Sequence, residues 1–416
     1  MQIKVLAPKY IEGTVVLPSS KSISNRVLVI NALSGNRGVL PENVSDCDDT
    51  RVMVKWMNSL DDIVDVGAAG TAMRFSTALL SVMEGEHVIT GTDRMKQRPI
   101  GLLVDALREL GASIEYVEKE GFPPLKIKGK PNLSGGRVLL SGGVSSQYVS
   151  ALLMIAPVMR DGLTLELVGE IISRPYIDLT ISLMRRFGAD AYWVSENEIR
   201  VESKDYSVED FFVESDWSAA SYWYEMVALS DDAEIVLPGL FCNSCQGDSK
   251  VAELFEKLGV ATEFVVGEGF DACVRLYKTR EVCERFDYDF VDQPDLAQTF
   301  VVCCCMLGVP FRFTGLQSLK IKETDRISAL EREMAKLGYV IVEENGCVLS
   351  WNGERCKGDI TPVIDTYEDH RMAMAFAPIA LKLGEIRIND PQVVTKSYPR
   401  FWDDLKSVTF VIEEIN

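Results

Sequence analysis

Hydrophobic positions along this chain fall at helical spacing, stop at a Leu-Gly or Phe-Gly pair, and then alternate across a short turn. The succession recurs at Leu103 to Ile127, Ile177 to Val201, Val251 to Leu276 and Ile327 to Trp351. It predicts an amphipathic helix followed by a β-hairpin each time. The helix-ending glycines Gly111, Gly188, Gly259 and Gly338 lie about 75 residues apart, the mark of a repeated supersecondary unit. In the Ile327 copy, Ile327, Leu330, Met334 and Leu337 share a helix face, Gly338 ends it, and Asn345-Gly346 turns a hairpin from Tyr339–Val342 to Val348–Trp351. Weaker copies without the glycine sit at Val52 to Val66 and Phe401 to Ile415, making six modules. The acidic, aromatic stretch Tyr206 to Trp217 divides them near the middle, so the pattern predicts two packed α/β domains with a small-molecule site in the cleft between them.

Composition narrows the partners. The 416 residues carry a net charge of −19, against the broad basic field that nucleic acid or an anionic membrane requires. No apolar run reaches eighteen residues, and Met-Gln-Ile-Lys-Val-Leu begins as a strand and not as a signal peptide, so a cytoplasmic, soluble chain is expected. Ten cysteines, three of them adjacent at Cys303 to Cys305 within an apolar run, read as reduced core thiols. Cys242 and Cys245 have a metal-like spacing, but a zinc site needs a second ligand pair and the chain has only His87 and His370, so no metal site is expected.

An anion site in so acidic a protein must be built locally. Leu17-Pro-Ser-Ser-Lys-Ser-Ile-Ser-Asn-Arg26 brings Lys21, Arg26 and four serines to the start of an apolar helix, with Ser22 or Ser24 as its cap. Further cations stand at element starts in Gly70-Thr-Ala-Met-Arg74, Asp93 to Pro99, Lys322-Glu-Thr-Asp-Arg326, Asp369-His-Arg371 and Thr395-Lys396. Each cluster alone fits an ordinary ion pair, but together they suggest several grips on phosphate or carboxylate groups of one ligand. Asp295 and Glu323 are the acid–base candidates, though Asp295 also fits a helix N-cap. No phosphate-binding Gly-Lys-Ser/Thr loop, dinucleotide fingerprint or serine-hydrolase elbow is present, and pattern and spacing do not name the reaction.

Eight segments do. Ser20-Lys-Ser-Ile-Ser-Asn-Arg26, Asp48-Asp-Thr-Arg51, Ala69-Gly-Thr-Ala-Met-Arg74, Arg94-Met-Lys-Gln-Arg-Pro-Ile100, Val144-Ser-Ser-Gln147, Ser173-Arg-Pro-Tyr-Ile-Asp178, Lys322-Glu-Thr-Asp-Arg326 and Asp369-His-Arg-Met-Ala-Met374 resemble, in order, the 5-enolpyruvylshikimate-3-phosphate synthase family. The resemblance implies transfer of the enolpyruvyl group of phosphoenolpyruvate to the 5-hydroxyl of shikimate 3-phosphate, with loss of phosphate. It also implies a two-domain inside-out α/β barrel of three βαβαββ repeats per domain that closes over substrate. One domain comprises 1–13 plus 214–416 and the other 14–213. By position, Ser22, Arg26, Ser145, Ser146, Ser173, Ser318 and Lys322, with Tyr176 beside them, are implied to hold shikimate 3-phosphate. Lys21, Gly70, Arg98, Gln147, Arg326, Arg371 and Lys396 are implied at phosphoenolpyruvate. Asp295 is implied as the base for the attacking hydroxyl, Glu323 as the group that gives and later removes a proton, and Lys21 and Lys396 as partners of the departing phosphate. No cofactor is implied, and a monomer is expected. Ala68, Phe75 and Ser318 depart from the family pattern, in which Asn, Pro and Asn are usual. Gly70 implies sensitivity to glyphosate. The sister transferase acting on UDP-N-acetylglucosamine is disfavoured because the loop Thr92 to Gln97 has no cysteine, and a non-catalytic anion-binding repeat protein because Lys21, Asp295, Glu323 and Lys396 are all present.

Overall fold

The computed structural model describes residues 1–59 and 61–415. It divides into two compact units. A split unit takes Met1–Pro18 and Glu214–Asn416, and an inserted unit takes Ser19–Val213. The first crossing falls after Pro18 because Val15 N–H donates to Val236 O (2.9 Å), and Val15 and Leu17 are packed in the split unit's core. The resemblance implies a crossover near Gly13 to Pro18, and the division falls at the end of that stretch.

In chain order, β1 (Gln2–Leu6) and β2 (Ile11–Thr14) belong to the split unit. The inserted unit begins with α1 (Lys21–Leu33) and α2 (Asp48–Ser59). Two modules follow: β3 (Ile63–Asp65), α3 (Gly70–Val82), β4 (Gly85–Thr90), α4 (Asp93–Lys96), α5 (Gly101–Glu109), β5 (Ser113–Tyr116), β6 (Leu125–Gly129); then β7 (Gly136–Ser141), α6 (Ser146–Ile155), β8 (Leu163–Val168), α7 (Arg174–Arg186), β9 (Ala191–Trp193), β10 (Glu198–Val201). Each folds as a four-stranded sheet, β3-β4-β6-β5 and β7-β8-β10-β9, whose first pair is parallel and whose remaining pairs are antiparallel. This is βαβαββ connectivity: the parallel pair needs a crossover helix, and the antiparallel last pair is joined directly by a loop, 117–124 in one module and 194–197 in the other.

The expected copy at Val52 to Val66 does not form a hairpin. Its helix is α2, and β3 pairs instead with β4 in the next sheet. Among the described residues this third part of the inserted unit keeps α1, α2 and a single parallel bridge between Glu42 and Phe212.

The split unit continues with α8 (Trp217–Leu229), β11 (Ala233–Pro238), α9 (Val251–Glu256), β12 (Leu258–Val265) and β13 (Cys273–Val282). Next come β14 (Phe286–Asp289), α10 (Ala297–Leu307), β15 (Phe311–Thr314), α11 (Arg326–Lys336), β16 (Val342–Glu344) and β17 (Val348–Trp351). The chain ends with β18 (Val363–Ile364), α12 (His370–Phe376), α13 (Ala380–Leu383), β19 (Glu385–Asn389), α14 (Phe401–Ser407) and β20 (Val411–Ile415). The sheets are β12-β13-β11-β2, β14-β15-β17-β16 and β18-β19-β1-β20. The Phe401 copy borrows its missing strand from the N-terminus: β1 lies between β19 and β20, antiparallel to both.

Three of the four glycines act as the pattern requires. Gly111, Gly188 and Gly338 follow α5, α7 and α11 with left-handed φ between 85° and 97°, which costs glycine nothing and ends a helix, whereas Gly259 (φ 82°) lies within β12, where the register shifts between Leu258 and Val260. Asn345 (φ 53°) and Gly346 (φ 73°) turn the β16–β17 hairpin.

Two kinds of helix result. In α5, α7 and α11 one face is buried, whereas every residue of α3 and α12 is buried. Strands such as β6 and β8 alternate buried with less buried positions, one face covered by helices and the other towards water. The fully buried helices therefore run inside and the sheets outside, and the N-terminal ends of those helices carry the clustered polar residues. No helix among the described residues is long and apolar enough to cross a membrane.

Candidate active site

In the inserted unit the site residues sit at the N-terminal ends of α1, α3, α6 and α7. Ser20, and neither Ser22 nor Ser24, caps α1, its Oγ accepting from Ile23 N–H at 3.4 Å. Lys21 is therefore the first helical residue. Ser24 Oγ is used internally, accepting from Ser45 N–H (3.0 Å), and Ser22 is left half-buried in the first turn. Ser145 Oγ caps α6 by accepting from Gln147 N–H (3.4 Å). Ser173 precedes α7 in a left-handed conformation (φ 56°) without a side-chain cap bond. Four helix N-terminal ends with their partial positive charge make a receptive surface for an anion without a large formal charge.

Arg26 ties these ends together. It is 2% exposed, and its Nε donates to Thr180 Oγ1 (2.7 Å), Nη1 to Ser22 O (2.8 Å), and Nη2 to Ser150 Oγ (3.0 Å) and Tyr176 O (3.3 Å). Its guanidinium lies 5.3 Å from the Phe75 ring centroid. Phe75, a departure from the family pattern, thus packs beneath a buried cation. Arg26 braces α1 against α6 and α7 and holds the Ser22 and Tyr176 backbone carbonyls.

Lys21 Nζ lies 3.4 Å from the nearly buried carboxylate of Asp49. Gln147 Nε2 donates to Thr71 Oγ1 (3.0 Å), joining α6 to the first turn of α3. Gly70 leaves room for Arg98: a Cβ at this position would stand 2.6 Å from Arg98 Nη1 and 3.0 Å from Nη2. The Arg98 loop is fixed by its neighbour, Pro99 O accepting from Tyr148 hydroxyl (2.6 Å). Arg74 Nη1 donates to Gly70 O (3.0 Å). Ser146 is buried, and Tyr176, Ser145 and Gln147 are half-buried.

The split unit's array is of another kind, a compensated cluster of charges at the starts of α10, α11 and α12. Arg326, 1% exposed, donates from Nε to Asp369 Oδ2 (2.7 Å), from Nη1 to Asp295 Oδ1 (3.0 Å), and from Nη2 to Glu323 Oε2 (3.0 Å) and Asp369 Oδ1 (3.4 Å). Arg371 donates to Asp295 Oδ2 (2.8 Å) and Tyr222 Oη (3.3 Å). Lys322 reaches Asp295 Oδ1 (3.5 Å), and Lys396 reaches Glu323 Oε1 (3.2 Å). Asp295 is not a helix N-cap, since α10 has none with a side-chain bond. Asp325 and Asp369 cap α11 and α12 instead. Ser318, in the turn Gln317–Ile321, is half-buried.

Burial favours the neutral form of Asp295, but Arg371, Lys322 and Arg326 outweigh it and hold the carboxyl well below the usual range. Tyr222 is pushed up to about 12 by burial, against the opposing pull of Arg371. Beside this cluster Asp248 is buried, with Ser218 hydroxyl on Oδ2 and no partner on Oδ1. Burial, and then the charge of Asp295, raise its carboxyl to about 7.

The sequence model of EPSP synthase (3-phosphoshikimate 1-carboxyvinyltransferase) matches residues 5–62 and 57–405. A 3-phosphoshikimate 1-carboxyvinyltransferase of Bacteroides fragilis is 59% identical over 413 residues, covering 99% of both chains. One from Sulfurovum sp. is 36% identical, covering 96% of this chain and 97% of its own. The chain belongs to the EPSP synthase family.

In fold, it resembles a solved EPSP synthase from Acinetobacter baumannii with a TM-score of 0.77 at 19% identity, over 99% of this chain and 100% of the other. In the split unit's array four cations, Lys322, Arg326, Arg371 and Lys396, face three carboxylates, Asp295, Glu323 and Asp369, with one positive charge in excess. Sequence reasoning assigned no role to Asp49, Asp369, Tyr148 or Asp248. The first two lie inside quoted motifs, whereas Tyr148 and Asp248 become visible only through their neighbours.

Proposed function

We propose that the two arrays divide the carboxyvinyl transfer of this family between them. The inserted unit holds shikimate 3-phosphate through Ser22, Ser145, Ser146 and Ser173, with the Tyr176 ring beside it and Arg26 bracing the helix ends. Lys21, Arg98 and Gln147, beside Gly70, together with Arg326, Arg371 and Lys396 of the split unit, hold phosphoenolpyruvate, which needs separate grips for its carboxylate and phosphate. Lys322 and Ser318 also serve shikimate 3-phosphate. Both arrays must engage the same pair of substrates for transfer to occur.

The observation that carries this reading is Glu323, one partly exposed carboxylate between Arg326 (3.0 Å) and Lys396 (3.2 Å). In the addition step the 5-hydroxyl oxygen bonds to C2 of phosphoenolpyruvate and C3 takes a proton from Glu323, giving a tetrahedral ketal phosphate. In elimination C3 returns a proton to Glu323, the C2–O bond to phosphate breaks, and the phosphate takes up the proton that Asp295 received from the hydroxyl and leaves as the dianion towards Lys21 and Lys396. Asp295 takes the hydroxyl proton. Without substrate it is a poor base, because three cations hold its proton affinity down. A substrate carboxylate that takes donors from Arg371 and Arg326 relieves that hold and strengthens the base where it is needed.

The test is phosphate release from phosphoenolpyruvate with shikimate 3-phosphate as acceptor and UDP-N-acetylglucosamine as the parallel control. Turnover with the first alone is expected. Release only with the second, or with neither, overturns the assignment.

A further inference from the structure

The segment that presents Asp369 and Arg371 is strained. Tyr367 and Glu368, adjacent and neither of them glycine, are both left-handed, with φ of 53° and 58°. Each such residue costs about 1–2 kcal/mol, and the conformation persists only where its surroundings over-determine it. Glu368 is exposed and offers no packing to hold it.

The restraint comes from α11. Glu333, wholly buried, accepts from the Tyr367 hydroxyl (2.5 Å), from Asp365 N–H (3.0 Å) and from Lys336 Nζ (2.7 Å). Lys336 also reaches Val363 O (2.9 Å) and the Asp365 carboxylate (2.8 Å), whose other oxygen accepts from Asn389 (2.7 Å). Asp369 N–H then closes the turn onto Thr366 O (2.8 Å). Burial, and then the bond to Glu333, push the Tyr367 hydroxyl up to about 12, so it remains a donor at neutral pH.

Register makes this more than a local brace. Arg326 and Glu333 are two helical turns apart and lie on one face of α11. The helix that donates Arg326 to Asp369 therefore also fixes the loop from which Asp369 and Arg371 emerge. We propose that Glu333 and Tyr367 are positioning residues for Asp369 and Arg371, and through them for phosphoenolpyruvate. The assignment of phosphoenolpyruvate rests on the function proposed above.

Tyr367→Phe removes one hydroxyl and keeps the ring. It is expected to raise KM for phosphoenolpyruvate about tenfold while KM for shikimate 3-phosphate moves less than twofold. Asparagine tolerates left-handed φ better than glutamate, so Tyr367→Phe combined with Glu368→Asn is expected to recover at least half of that increase. Glu333→Gln should show the same selective pattern in an enzyme whose circular dichroism is unchanged. A lowered melting temperature with unchanged kinetic constants, or an equal rise in both KM values, overturns the clamp. Arg371→Ala separates the two layers. If it raises KM for phosphoenolpyruvate and Tyr367→Phe does not, the clamp alone fails; if it leaves that KM unchanged, the substrate assignment fails and the clamp with it.

Discussion

Arg326→Met is the sharpest probe of the compensated cluster, because it removes one buried cation and approximately conserves the length of its stem. The three close bonds of the guanidinium, 2.7 Å to Asp369 and 3.0 Å each to Asp295 and Glu323, are charge-assisted, and at about 1.5–3 kcal/mol apiece they total several kcal/mol before desolvation is set against them. The variant does not lose them evenly. Asp295 keeps Arg371 and Lys322, and Glu323 keeps Lys396, but Asp369, with a fully buried side chain, loses its guanidinium. The expected destabilisation is therefore that of one broken buried pair, about 3–5 kcal/mol. For a unit of this size that is a fall of roughly 10 °C in melting temperature. The pH dependence identifies the cause. In the parent protein the folded Asp295 carboxyl lies below its unfolded value, so the stability it contributes is present above about pH 4 and is lost as pH falls through the folded value. In the variant Asp295 loses one of the three cations that hold its carboxyl down, so less of this stability remains to be lost on acidification, and the deficit should be full at pH 7 and shrink towards pH 4. Paired urea titrations at pH 4, 5.5 and 7 measure it. A deficit below about 1 kcal/mol at pH 7, or one that does not change with pH, would refute the assignment of the penalty to buried unpaired charge.

Glu323→Gln keeps shape and removes the proton carrier, so turnover should drop about a hundredfold or more while substrate binding by calorimetry stays nearly intact; lost binding would make Glu323 structural. Gly70→Ala should fold normally, since its Cβ meets only the movable ends of Arg98 and Arg74. Displacing Arg98 is expected to raise KM for phosphoenolpyruvate about tenfold, the loss of roughly 1.4 kcal/mol of a charge-assisted contact, and an equal rise for shikimate 3-phosphate would contradict the placement. Asp248, with a folded carboxyl raised to about 7, binds its proton where the unfolded chain has released it. Stability should therefore fall as pH rises from about 4 to about 7, and Asp248→Asn should remove that component, at most about 4 kcal/mol; an unchanged pH–stability curve in the variant would show that Asp248 is ionised in the fold.

Legibility from sequence followed the range of the interaction. The helix–glycine–hairpin modules could be read because Gly111, Gly188, Gly259 and Gly338 each set a local backbone conformation that needs no distant partner. The module at Phe401 lacked its second strand in the sequence because that strand is β1, almost four hundred residues away. The choice of Ser20 as cap over Ser22 and Ser24 turns on a first helical residue that composition leaves open by a turn. Motifs placed Arg26 at the site, but its inward engagement with Thr180, Ser150 and Phe75 depends on helices from other modules. Glu333 carries no motif at all and looks from sequence like a solvated helix residue.

The two arrays solve anion recognition by opposite means. In the inserted unit, hydroxyls and helix ends are directed at a position by caps and by Arg26, so recognition there depends on geometry and on weakly polarised donors. In the split unit the four cations are largely offset by Asp295, Glu323 and Asp369, which lets positive groups stand close together with much of their mutual repulsion cancelled. Such a cluster is preorganised, and the cost of assembling its charges is met during folding and not at the moment of reaction. Its carboxylates must then share donors with each arriving anion. Under the proposed function that competition weakens binding of phosphoenolpyruvate and also releases Asp295 and Glu323 to exchange protons. A cluster made more positive by Asp295→Asn should bind phosphoenolpyruvate more tightly and turn over more slowly. This inverse relation between affinity and rate separates a reactive cluster from a purely electrostatic trap.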